Sequence, residues 1–189
     1  VLTLLGEKPA AAKEYLLSCQ NWEGGFGANP GSESHAGLTY CCLAALALQP
    51  AGEPGELVGS ELDVRQRSRI GRWLSERQTR TGLCGRPGKD ADTCYTWWVL
   101  ASWALVRPSL GPSADAFNHS ALLGFIASCE GEDGGYSSAP DQAPDPFHTF
   151  FTLAARALLG DGGELREIDP RFAMPVDFLP ETCRQPTAS

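Results

Sequence analysis

Apolar positions along the chain fall into six stretches with helical spacing, separated by connections rich in Gly and Pro. The first runs from Lys8-Pro9 to about Cys19 and is followed by the turn Gly24-Gly25-Phe26-Gly27. The second, His35 to Leu48, is apolar nearly all round, through Cys41, Leu43, Ala44, Ala45, Leu46 and Leu48. Such a helix belongs in an interior. A loop over Gln49–Leu62 precedes a third helix, capped by Asp63 and reaching about Gln78, with Val64, Ile70, Trp73 and Leu74 on one face. Asp92 caps a fourth, mostly apolar from Tyr95 to Val106. Phe117–Cys129 reads as a fifth. A sixth opens at Pro146, which suits a first helical turn, and stops at Gly160. No stretch reads convincingly as a strand.

The order helix, Gly-rich turn, more apolar helix occurs three times, near residues 9–48, 63–106 and 117–159. The turns fall at positions 24, 82 and 134, a period that signals stacked or ring-arranged helical hairpins. The expected fold is therefore all-α, with residues 1–180 in the repeats and their extension and 181–189 as a tail. The helices beginning near His35, Asp92 and Pro146 form the inner layer of an open concave arc. Their N-termini then gather at one end, which carries positive dipole charge.

The 189 residues have a net charge of −8, which argues against nucleic acid as the default partner. A small anion in a local basic pocket stays compatible with that charge. No apolar run reaches the ~20 residues of a membrane span. Val1–Leu5 lacks the charged flank of a signal peptide, and the absence of an initial Met suggests a start within a longer protein. The seven cysteines lie in apolar stretches without disulfide-scaffold spacing. They predict buried thiols and a reducing, cytoplasmic setting.

Two groups of residues could do chemistry. Asp92, Cys94 and His148 offer a carboxylate, a thiol and an imidazole at the starts of neighbouring inner helices. At a cap the chain is still extended, so residues 92 and 94 can converge, and three such ligands with an open fourth place suit catalytic zinc. The same spacing suits a cap aspartate, a buried cysteine and a packed histidine. His35, Arg86, Lys89 and Tyr95 form the second group. Arg86 and Lys89 lie on the loop entering the fourth helix, and the Ser32–Gly37 segment offers free backbone amides at the start of the second. Both features suit phosphate, and both also suit a solvated turn. His119, on an outer helix, reads as structural. Trp97, Trp98 and Trp103, with Phe147, Phe150 and Phe151, would line a hydrocarbon pocket or fill a core.

The segments Cys19-Gln-Asn-Trp-Glu-Gly-Gly-Phe-Gly27, Gly31-Ser-Glu-Ser-His-Ala-Gly37, Gly85-Arg-Pro-Gly-Lys89 and Asp92-Thr-Cys-Tyr-Thr-Trp-Trp98 resemble the protein prenyltransferase beta subunits. Asp145-Pro-Phe-His-Thr149 and Asp169-Pro-Arg-Phe-Ala-Met-Pro175 point within that family to the type II, or Rab geranylgeranyltransferase, group. The resemblance implies an α–α barrel, of which this chain carries about the C-terminal half. It implies zinc on Asp92, Cys94 and His148. It places His35, Ala36, Gly37, Arg86, Lys89, Tyr95, Thr96, Trp97 and Trp98 around the lipid diphosphate. Its implied chemistry is transfer of a geranylgeranyl group from geranylgeranyl diphosphate to C-terminal cysteines of Rab proteins. The implied partners are a prenyltransferase alpha subunit and an escort protein that presents the Rab GTPase. The alternatives are a type I geranylgeranyl- or farnesyltransferase acting on Cys-a-a-X proteins, or a non-catalytic helical interaction fragment. One position departs from the family: ten residues before His148, where relatives carry a charged residue linked to magnesium, stands Ser138. Weak or indirect magnesium dependence follows.

Overall fold

The computed structural model describes residues 3–5, 12–48, 62–110, 116–161 and 165–184. The Gln49–Leu62 loop up to residue 61, the start of the first helix before residue 12, and the tail beyond residue 184 lie outside the described residues. Among the described residues six α-helices carry the fold: α1 (Lys13–Ser18), α2 (Ala36–Ala47), α3 (Val64–Ser75), α4 (Thr93–Val106), α5 (His119–Ser128) and α6 (Pro146–Leu159). The fold is all-α, a partial barrel of helical hairpins, as the repeat predicts. α1, α3 and α5 pack on the outside of α2, α4 and α6 respectively, and α4 stands between α2 and α6 as the central inner helix.

Local chemistry sets the helix limits. α3 starts at a reciprocal capping box between Asp63 and Gln66, worth ~1 kcal/mol over an uncapped start. It stops at Ser75, short of the expected Gln78, because residues 76–78 turn away to bridge Gln78 to Leu83. α5 begins at His119, two residues past the expected Phe117, and is capped by the Asn118 side chain. α6 ends at Gly160, whose φ of 68° costs a residue without a Cβ little.

Against the expectation of no strand, β1 (Ile168–Asp169) and β2 (Met174–Pro175) pair antiparallel beside α6. The turn between them is held by Arg171, whose guanidinium takes both oxygens of the buried Asp169 carboxylate and the Cys183 carbonyl. The Asp169–Arg171 pair is local, and the Cys183 carbonyl twelve residues on completes the clamp.

The three repeats are alike down to single hydrogen bonds. The amides of His35, Asp92 and Asp145 donate to the carbonyls of Phe26, Leu83 and Tyr136. These equivalences set the offsets at 57 and 53 residues, so Gly25, Gly82 and Gly135 correspond, one place from the 24 and 134 of the sequence reading. Adjacent repeats are joined by a matching bond. Ala36 donates its amide to the Gly85 carbonyl, and Thr93 donates to the Ser138 carbonyl. The third equivalent is Pro146. Gly85 sits so tightly that a Cβ there would meet the Tyr95 ring at 2.3 Å.

The core runs through the inner layer. Trp97 is fully buried between Tyr40 and Phe151, and Leu43, Leu46, Val99, Leu105 and Leu122 are buried with it. All seven cysteines are free thiols, and Cys41 alone of them is exposed.

Candidate metal centre and anion pocket

The N-termini of α2, α4 and α6 open onto one cavity of about 620 Å³ lined by His35, Gly37, Leu38, Cys41, Asp92, Cys94, Tyr95, Trp98, Phe147 and His148. Asp92 is the N-cap of α4, extended at φ −147° and ψ 138°, and its Oδ1 accepts the Cys94 amide at 2.9 Å. That bond turns the chain so that a carboxylate and a thiol two residues apart share a face. His148 stands on the first turn of α6 with Nε2 3.4 Å from Asp92 Oδ1. One ligand atom from each of Asp92, Cys94 and His148 lies within 4.8 Å of the others.

This donor set fits a divalent zinc ion. Thiol, carboxylate and imidazole are its usual ligands, and three of them leave a place for substrate. Burial, and then the neighbouring Asp92, push the Cys94 thiol well above its ordinary range. A thiolate beside a carboxylate in a half-buried pocket therefore calls for a cation. On the far side of His148, Nδ1 lies 2.6 Å from Asp145 Oδ2, leaving Nε2 to face the cluster. Asp145 was not singled out as a site residue from sequence. Its place three residues before His148, directly ahead of Pro146, is the cue that could have found it.

Of the second group, His35 and Tyr95 line this cavity, while Arg86 and Lys89 do not. His35 caps α2 through Nδ1, which accepts the Gly37 amide, and its Nε2 lies 3.1 Å from the Tyr95 hydroxyl. Burial, then the Arg86 charge, lower the affinity of His35 for a proton. Burial, with Cys94 and Asp92, raises that of Tyr95, while Arg86 acts to lower it. Arg86 is paired with Glu33 on the neighbouring turn. Lys89 is exposed on the same loop.

Within the Ser32–Gly37 segment, the amides of Ser32, His35, Ala36 and Gly37 are already engaged. Ala36 donates to Gly85, and Gly37 donates to His35. The first of these bonds joins neighbouring repeats and the second is the cap of α2 itself. Ala36, Thr96 and Trp97 are buried and do not line the cavity. Trp98 does line it, its ring tilted against that of Phe151 with centroids 4.2 Å apart. Ser138 gives its carbonyl to Thr93. His119 begins α5, apart from this cavity.

A model of the prenyltransferase alpha-alpha toroid domain matches residues 1–174. The chain is 39% identical over 183 residues to the geranylgeranyl transferase type-2 beta subunit of Saccharomyces cerevisiae, covering 92% of this chain and 51% of the relative. It is 37% identical over 180 residues to the type-1 beta subunit of Arabidopsis thaliana, covering 93% of this chain and 46% of that one. It is 35% identical to the farnesyltransferase beta subunit of Schizosaccharomyces pombe over 149 residues, 74% of this chain and 36% of the relative. The fold matches Candida albicans protein geranylgeranyltransferase-I complexed with GGPP at a TM-score of 0.77, with 22% identity over 93% of this chain and 51% of that one. The chain thus spans about half the length of the relatives it matches. Among the described residues no helix is long and apolar enough to cross a membrane.

Proposed function

Since the chain belongs to the prenyltransferase alpha-alpha toroid family, we propose that it is the catalytic half of a type II beta subunit, transferring geranylgeranyl from its diphosphate to Rab cysteines. The observation that carries this reading is the opening of the Asp92–Cys94–His148 cluster and the His35–Tyr95 pair onto one cavity. The type-2 assignment draws on the yeast relative and on the Arabidopsis type-2 beta subunit, 43% identical over 81% of this chain. Under this reading the protein works in the cytoplasm with an alpha subunit and a Rab presented by an escort protein. Because the chain spans about half of its relatives, the activity is proposed for the assembled protein that contains it.

Asp92, Cys94 and His148 would hold zinc, which when bound supplies a positive centre that keeps a substrate thiol as its thiolate. The other groups then divide the work. His35 Nε2 and the Tyr95 hydroxyl offer hydrogen bonds to the diphosphate, and Arg86 and Lys89 offer charge. The substrate sulfur forms its bond to C1 of the lipid as the C1–O bond breaks. The electron pair leaves with the diphosphate, whose growing charge these four residues stabilise. Trp98 and Phe147 give the lipid an apolar wall, worth ~0.8 kcal/mol per buried CH2. Ser138 supplies no carboxylate for magnesium, so magnesium dependence is weak in this reading.

The test is bound zinc per chain and transfer to a Rab protein with its escort, using protein co-expressed with the alpha subunit, for wild type and Cys94→Ala. One equivalent in the wild type, lost in the variant with a rate drop of at least ~100-fold, supports the reading. Efficient transfer to a short Cys-a-a-X peptide without escort favours the type I or farnesyl alternative. No zinc in either protein favours the non-catalytic fragment.

A further inference from the structure

Asp145 does two things at once at the start of α6. Its Oδ1 accepts the amides of Phe147 and His148, at 2.9 and 3.0 Å, and so caps the helix. Its Oδ2 lies 2.6 Å from His148 Nδ1. An ionised carboxylate only accepts, so Nδ1 carries the ring proton and Nε2 is left with the lone pair. Nε2 is the nitrogen that faces Asp92 at 3.4 Å. The ring is also fixed edge-on against Phe147, with centroids 5.2 Å apart.

We propose that Asp145 is a positioning residue of the metal centre, holding His148 in the tautomer and orientation that present Nε2 to a cation shared with Asp92 and Cys94. The inference rests on the zinc reading above. A carboxylate behind a ligating histidine raises its basicity and removes its freedom to rotate, and loss of such a partner typically weakens metal binding ~10–100-fold. The repeats supply a parallel. His35, Asp92 and Asp145 occupy the same cap position. In the first repeat, too, the atom not used by the cap reaches a neighbouring site residue, Tyr95.

Two substitutions separate positioning from capping. Asp145→Asn keeps an oxygen for the two amides but turns an NH2 donor toward Nδ1, which opposes the required tautomer. Asp145→Ser keeps a cap oxygen and leaves Nδ1–H to water. Zinc affinity is measured by chelator competition on the co-expressed protein, with metal-free melting temperature beside it and the cobalt–thiolate absorption band of a cobalt-loaded sample. The expected result is Asp145→Asn weakened ~10–100-fold, Asp145→Ser weakened less, a retained thiolate band, and metal-free melting close to wild type. Unchanged zinc affinity in both variants would falsify the proposal. So would metal affinity that falls only in step with metal-free stability, the mark of a cap alone. A wild type that binds no zinc overturns the metal reading itself, and this inference with it.

Discussion

Each inner helix opens on a cap residue with one polar atom more than the cap needs. His35 shows what this implies for pH. Its Nδ1 must stay unprotonated to accept the Gly37 amide, and burial together with Arg86 lowers its proton affinity below the ordinary 6.5, opposed in part by Glu33. The unfolded chain therefore binds this proton more readily than the folded one. Stability from this group is complete above pH 6.5 and is lost as pH falls through the depressed folded value. The melting temperature should decline on acidification in that window, and His35→Asn, which keeps a cap acceptor, should remove this part of the decline. A melting profile of the variant parallel to wild type between pH 7 and pH 5 would sink the assignment. At this scale the sequence was readable where residue type and spacing alone speak. Asp92, Cys94 and His148 do converge. Asp145 was not readable as more than a cap, because its second role depends on where the His148 ring points. Nor was the Arg86–Glu33 pair, which joins turns of two different repeats.

Helix α4 is apolar on every side, and that is why its pattern announced burial but not direction. Trp97 and Trp98 are adjacent in sequence and part company in space. The first is sealed in the core and the second lines the cavity. Their alanine variants should fail differently. Trp97→Ala leaves a void among Tyr40, Phe151 and their neighbours and should cost ~3–5 kcal/mol of unfolding free energy. Trp98→Ala should cost less stability and instead weaken binding of a fluorescent geranylgeranyl diphosphate analogue. Chemical denaturation and a binding titration distinguish them, and equal stability losses would contradict the burial difference. Helix existence and order were legible, since six apolar stretches and three Gly-rich turns became, among the described residues, six α-helices in three hairpins. Exact ends were not: Gln78 left α3 to close a turn, and the β1–β2 pair hangs on a buried Asp169–Arg171 clamp formed at short sequence range but stabilised by the distant Cys183 carbonyl.

In the whole molecule, the metal candidates come from two hairpins, Asp92 and Cys94 from the second and His148 from the third. A bound zinc would therefore tie neighbouring hairpins together and couple metal loading to global stability. Stripping zinc from the loaded protein should lower its melting temperature, by an amount equivalent to ~2.7 kcal/mol when free zinc had stood at 100 times its dissociation constant. Cys94→Ala should melt at the same temperature with and without chelator. A wild type indifferent to chelation would show that the ion does not bridge the hairpins. The amide bonds that join the repeats have a different consequence. Ala36 and Thr93 each donate an amide hydrogen bond to the next turn, but at the third step stands Pro146, which has no N–H to donate. At the opposite edge the exposed Ala28 carbonyl, the counterpart of Gly85 and Ser138, meets the Tyr15 hydroxyl at 3.5 Å. The array is thus polar in the way a growing polymer is. One edge can accept a further hairpin in register, while at the other proline acts as a chain terminator, forgoing the ~0.5–1.5 kcal/mol that each earlier link contributes.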